Sequence, residues 1–320
     1  MPRLAIWLAV GVAIGSAGCG STTYEAAQSA GARATALQQG NTGIASRHPS
    51  DVGIGSDPNV IFADDFEGYT RGTDLSNRWE NVYQRQYVDI TTEAANVYRG
   101  SKALQFILPQ QTASLGDATE KVVSPEQDVL FLRYYSKIQP PYDVAGSMHD
   151  GASIGAHYAE PGVPANGTNK FLASLENSGM DPPTPSPGHL NIYLYHPEQR
   201  DVYGDHFYPN GDVSPNTSLK FNYGPGFVSR PNIVLKLDRW YCYEYMMQAN
   251  TPGKRDGRIA IWVDGALVAD FPGLRLRDVA TLKIDRFALS LYLGTNPKGE
   301  VRKWYDNVVA AKSYIGPISR

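Results

Sequence analysis

The sequence predicts an all-β domain, a two-sheet β-sandwich with long loops, on three observations. Short segments of period-2 alternation recur from residue 60 to about residue 317, punctuated by Gly, Pro, Asn and Asp. No glycine-rich phosphate loop opens a helix and no strand–helix alternation recurs, which excludes nucleotide and dinucleotide folds. The 320 residues, 42% of them hydrophobic, suffice to fill one large core, and no internal repeat divides them.

The elements follow in chain order. Residues 1–18 read as a lipoprotein-type signal peptide. Arg3 gives the positive start, and Leu4 to Ile14 form an apolar run too short for an ordinary membrane span. The small residues Gly15, Ser16, Ala17 and Gly18 follow, and then Cys19. This resembles the lipobox of bacterial lipoproteins, with Ser16 where leucine is usual. The resemblance implies a lipid on Cys19, a membrane contact through that anchor and an extracytoplasmic place on a bacterial envelope membrane. Simple secretion is the alternative. With Cys19 acylated, the second cysteine, Cys242, has no partner for a disulfide. Residues 19–57, rich in Ala, Gly, Ser, Thr and Gln, read as a flexible tether. Residues 58–320 form the β domain.

Within it, candidate strands are 103–108, 130–138, 190–196, 240–248, 258–263, 266–271, 282–293 and 304–311. Each is rich in β-branched or aromatic side chains. Asp264-Gly265, between two of them, is a two-residue hairpin signal. Residues 139–188 read mostly as loop, ending in a proline-rich run. Long excursions on a sandwich are commonly functional.

The stretches Val60-Ile61-Phe62-Ala63-Asp64-Asp65-Phe66-Glu67, Asp256-Gly257-Arg258-Ile259-Ala260-Ile261-Trp262-Val263-Asp264-Gly265 and Trp304-Tyr305-Asp306-Asn307-Val308-Val309 carry a family resemblance. They resemble the first, central and closing strands of concanavalin-like jelly rolls, of the polysaccharide lyase family 14 kind with the alginate and glucuronan lyases. The resemblance covers roughly residues 60–317. It implies a carbohydrate-active domain whose concave sheet cleaves a uronate-containing glycan by β-elimination, with no cofactor for catalysis. A base takes the C5 proton, a cationic or amide group holds the carboxylate, and an acid, often tyrosine, protonates the leaving oxygen.

That chemistry needs Arg, Lys, His, Asn, Gln or Tyr on one sheet face. In 130–138, Arg133, Tyr135 and Lys137 share a face, and arginine can grip a carboxylate bidentately. An ordinary exposed polar face would read the same way. In 190–196, Asn191, Tyr193 and Tyr195 share a face, like the paired-tyrosine strand of the alginate-lyase family. In 282–293, Arg286, Ser290 and Tyr292 do. Arg133, His157, Tyr193 and Tyr195 are therefore the catalytic candidates. Tyr135, Lys137, His149, Asn191, Gln248, Arg286 and Tyr292 are the substrate-binding ones, with His196 and His206 as further groove-lining residues. No zinc-type histidine spacing is present.

The resemblance also implies a possible structural calcium on Asp65, Glu67 and Asp306; a salt bridge or hydrogen bond is the other reading. The expected partner is an acidic polysaccharide. With 29 basic against 32 acidic side chains, the phosphate-neutralising excess of a nucleic-acid binder is missing. A non-catalytic carbohydrate-binding surface lipoprotein is the alternative function. A structural envelope lipoprotein whose 20 tyrosines merely pack the sandwich is a third.

Overall fold

The computed structural model describes residues 36–142, 145–178, 185–215, 221–224, 226–296 and 298–319. The signal peptide and Cys19 lie outside the described residues. Among the described residues no helix is long and apolar enough to cross a membrane.

The strands, in chain order, begin with β1 (Val60–Asp64), β2 (Asn81–Tyr83), β3 (Val88–Thr91), β4 (Ala103–Leu108), β5 (Leu115–Gln127) and β6 (Val129–Ile138). Next come β7 (Ala145–His149), β8 (Ala152–Ala156), β9 (Phe171–Ser178), β10 (His189–Tyr195), β11 (Asp205–Phe207) and β12 (Asp212–Ser214). The last are β13 (Phe221–Asn222), β14 (Tyr241–Gln248), β15 (Gly257–Val263), β16 (Ala266–Leu274), β17 (Ile284–Thr295) and β18 (Val301–Ala311). All eight expected strands are among them. They build an eight-stranded sheet, β16-β15-β14-β6-β18-β4-β3 with β1 on β18. The second sheet has ten strands, β13-β12-β11-β10-β9-β8-β17-β5-β2 with β7 on β17.

Period-2 alternation decides what each strand buries. Leu130, Leu132 and Tyr134 of β6 meet Tyr243, Tyr245 and Tyr305 on the inner side of the eight-stranded sheet. Leu190, Ile192 and Leu194 of β10, and Phe287, Leu289 and Leu291 of β17, line the inner side of the other. Both sets belong to one core, so the architecture is the expected sandwich. Tyrosines fit this core because their hydroxyls find partners: Tyr245 donates to the Ala152 carbonyl at 2.9 Å and Tyr305 to that of Ser290 at 2.7 Å.

Two expectations are corrected. Residues 139–188 are not mostly loop, because β7, β8 and β9 occupy much of them. β8 and β9 use alanine and serine, which have low strand propensity, yet Ala152, Ile154, Ala173 and Leu175 alternate inward. Residues 36–57 are not tether. They form short 3-10 turns over Ile44–Arg47, Pro49–Asp51 and Ile54–Ser56. Ile44, Ala45 and Ile54 are buried in one cluster with Phe131, Met246, Trp262, Tyr314 and Ile315. Trp262 donates its indole N–H to the Gln38 carbonyl at 2.9 Å, and Ala45 N–H reaches the Ile315 carbonyl at 2.9 Å. This strap and residues 312–319 thus cover the outer face of the eight-stranded sheet. The outer face of the ten-stranded sheet is where polar side chains gather.

Candidate active site

Strand register lays out the site. Ser153, Ser174, Tyr193 and His206 stand opposite one another in a row across β8, β9, β10 and β11. Glu176 and Asn191 form the next row, and His149 stands opposite Tyr292 on β17. All face away from the core, because their strand neighbours alternate into it.

The polar contacts are specific. His149 Nδ1 lies 2.8 Å from Glu176 Oε2. The Tyr193 ring sits between two imidazoles, 4.7 Å from His149 and 5.0 Å from His206 by centroids. Tyr292 stacks on the other side of His149 at 5.5 Å. Asn191 donates its amide N–H groups to the Glu176 and His189 carbonyls at 3.3 and 3.2 Å. That orients its Oδ1 toward His206 Nδ1, 2.9 Å away. His206 therefore donates from Nδ1 and keeps its lone pair on Nε2. The Tyr193 hydroxyl accepts the Gly204 N–H at 3.0 Å and shares a side-chain hydrogen bond with Tyr195.

Burial sets the charges. Glu176 is pushed up to about 7, chiefly by burial, while the His149 partner pulls the other way. Its Oε1 has no hydrogen-bond partner among the described residues and lies 3.6 Å from His206 Nδ1. His206 is pushed down to about 3, by burial first and then by the charge of His149, so its ring is neutral at physiological pH. Burial holds the Tyr193 phenol well above its ordinary value, so it stays protonated. The arrangement offers an imidazole base backed by a carboxylate, next to a protonated phenol.

No protein-family model matches the sequence, and no curated protein does. Solved structures do. A variant of the alginate lyase Aly36B, in complex with alginate trisaccharide, matches with a TM-score of 0.58 at 18% identity, over 80% of this chain and 99% of that one. The chain has the alginate-lyase fold. The PL-14 alginate lyase of Aplysia kurodai matches at 0.53 and 13% identity, over 79% and 99% of the two chains. The endo-β-1,4-glucuronan lyase of the fungus Trichoderma reesei matches at 0.50 and 15% identity, over 79% and 96%. The expected resemblance to these lyases therefore holds for the fold.

Within the lyase fold, Tyr193, Asn191, His149 and Tyr292 come together as described. Tyr195 shares their face but is 1% exposed, under Tyr158 and Ala165, and its hydroxyl accepts the Gly162 N–H. It seats a loop. Arg286 lies on the same face and pairs with Asp285 at 2.9 Å and Glu120 at 3.6 Å. His157 stands apart, its side chain 44% exposed, 3.1 Å from Glu126.

Arg133, Tyr135, Lys137 and Gln248 are on the other sheet. Their shared parity is as expected, but the strap and the C-terminal residues cover that face. Arg133 is fully buried and pairs with Asp51 of the strap. Tyr135 stacks on Tyr98 at 3.7 Å, and Lys137 donates to the Ala95 carbonyl at 2.7 Å. Gln248 donates to the Asp256 carbonyl at 3.1 Å. None of the four reaches the site.

Asp65, Glu67 and Asp306 do not fit a calcium ion. Glu67 accepts three hydrogen bonds from Ser101 and Lys102. Asp306 accepts the N–H groups of Tyr98, Arg99 and Asn307, and Asp65 that of Glu67. Calcium takes six to eight oxygens, whereas these are spent on N–H and O–H donors. Among the described residues no group of three or more His, Cys, Asp or Glu is placed to hold a metal.

Sequence reasoning missed Glu176 and gave His206 only a lining role. The run Phe171-Leu172-Ala173-Ser174-Leu175-Glu176 does alternate, and that alternation was the available signal. His196, the other lining candidate, is buried against Asp205 at 3.0 Å.

Proposed function

We propose that this protein cleaves a uronate-containing polysaccharide by β-elimination on the outer face of its ten-stranded sheet. The observation that carries the proposal is the His149–Glu176 pair set against the protonated Tyr193. Glu176 accepts the Nδ1 proton of His149 and so leaves Nε2 as the base. Nε2 takes the C5 proton, the electron pair forms the C4–C5 double bond, and the C4–O bond breaks. Tyr193 gives its proton to the leaving oxygen. The neutral His206, held by Asn191, lies beside Tyr193 to orient the sugar hydroxyls. The alginate trisaccharide bound by a neighbour of the same fold supports an acidic glycan as partner.

Purified protein incubated with alginate, glucuronan and other uronates should produce unsaturated ends, followed by their absorbance. His149→Ala should abolish the signal. Flat traces across the panel would remove the lyase reading. The alternative, a carbohydrate-binding protein without catalysis, is favoured by the pairing of Arg286 with two carboxylates, which commits the arginine of that face to the protein. It predicts retention on immobilised glycan with no unsaturated product. Lipid on Cys19 belongs to the same proposal, with the mass of the mature N-terminus as its test.

A further inference from the structure

We infer that the site takes a chain in which uronates are interspersed with neutral sugars, and disfavours an uninterrupted polyuronate; this rests on the lyase reading above. The charge of the face is the reason. Its acidic side chains are Glu176 in the centre, Glu120 on β5 and Asp285 beside Arg286, with Glu126 at the strand end. Two cations on this face, Arg286 and Lys170, are committed to protein partners. The Arg286 guanidinium is held in a fork by Asp285, with Nε–Oδ1 at 3.0 Å and Nη2–Oδ2 at 2.9 Å. Its remaining nitrogen faces Glu120 Oε2 at 3.6 Å, and Glu120 is itself fixed by the Asn81 amide at 2.8 Å. Lys170, 3% exposed, donates to the Glu160 carbonyl and lies over the Tyr158 and Tyr195 rings at 4.6 and 4.9 Å.

A homopolymer with a carboxylate on every residue would bring further negative charge to this face and find Arg286 and Lys170 already paired. Like charge across an interface opposes binding and slows encounter. What the face does offer a sugar is neutral: Tyr193, His206 and Tyr292, 6%, 6% and 9% exposed, and the half-buried Ser153. Such groups suit hydroxyls and the apolar faces of pyranose rings. One uronate at the cleavage point with neutral neighbours meets both demands. Glu120 is then a specificity-determining residue, because it keeps Arg286 from reaching a second carboxylate.

The test compares binding of intact alginate and partly carboxyl-reduced alginate to the full chain at low and raised salt, with product formation measured separately. The reduced polymer should bind more tightly at low salt, and added salt should narrow the gap by screening repulsion. Glu120→Gln should strengthen binding of intact alginate by about twofold to fivefold, the size of a freed surface cation's contribution. Tighter binding of intact alginate at low salt, weakened by added salt, would overturn the inference. So would an unchanged Glu120→Gln variant, or no binding of either polymer. The expected binding pattern without unsaturated product from any uronate would sink the lyase reading alone.

Discussion

In the proposed elimination His149 is the base only while Glu176 is ionised to accept the hydrogen bond of its Nδ1–H. The Glu176 carboxyl, pushed up to about 7 by burial, loses its own proton as pH rises through this value. The rate of product formation should therefore climb across pH about 7, and Glu176→Gln should flatten that limb. Loss of a general base or acid typically costs about 10² to 10⁴ in rate, so Glu176→Gln and Tyr193→Phe should each slow turnover on that scale. Tyr195→Phe is the contrast. It removes the acceptor of the Gly162 N–H and should loosen the loop above it with a smaller effect on turnover. Asn191, Tyr193 and Tyr292 were legible because their strands alternate cleanly. Glu176 was not, because the alanines and serines around it look like loop and conceal the strand that aims it.

The strap over residues 36–57 is the element that sequence composition misread. Two isoleucines ten positions apart in a polar run show no period, yet both find the same apolar cluster. Its buried anchor is the ion pair of Arg133 and Asp51, whose side chains are 0% and 7% exposed. Removing one partner of such a pair strands a buried charge, so Asp51→Ala should cost about 3–5 kcal/mol by chemical denaturation. Replacing both residues by apolar ones of similar size should cost much less. The neighbouring Glu244 accepts N–H groups of Ile315 and Gly316 and is pushed up to about 7 by burial. Asp306 is raised likewise, to about 7. Each stays protonated in the fold at pH values where the unfolded chain has already lost the proton. Stability from this source is present below the ordinary carboxylate range and lost as pH rises toward about 7. His206, held neutral, acts in the opposite sense only below its ordinary 6.5. The melting temperature should thus fall as pH rises from the ordinary carboxylate range toward about 7 and level off above it, and fall less steeply in Glu244→Gln.

For the whole molecule, the sandwich was legible and the side that works was not. Both sheets carry polar residues on their outer faces at the same period. Arg133 and Tyr193 look alike in sequence, and only the folding back of the two ends of the chain tells them apart. In the first-to-last-strand region Glu67 and Asp306 together hold the backbone of residues 98–102 by accepting its N–H groups. A chelator should consequently leave the melting curve where it is, and a downward shift would restore calcium to the account. The strap has one more consequence. Leu37 and Gln38 meet the fold on the sheet opposite the one that carries His149 and Tyr193, so the described chain enters the domain on the face away from the candidate site. Immobilisation through the N-terminus should leave a long polymer free to reach the site.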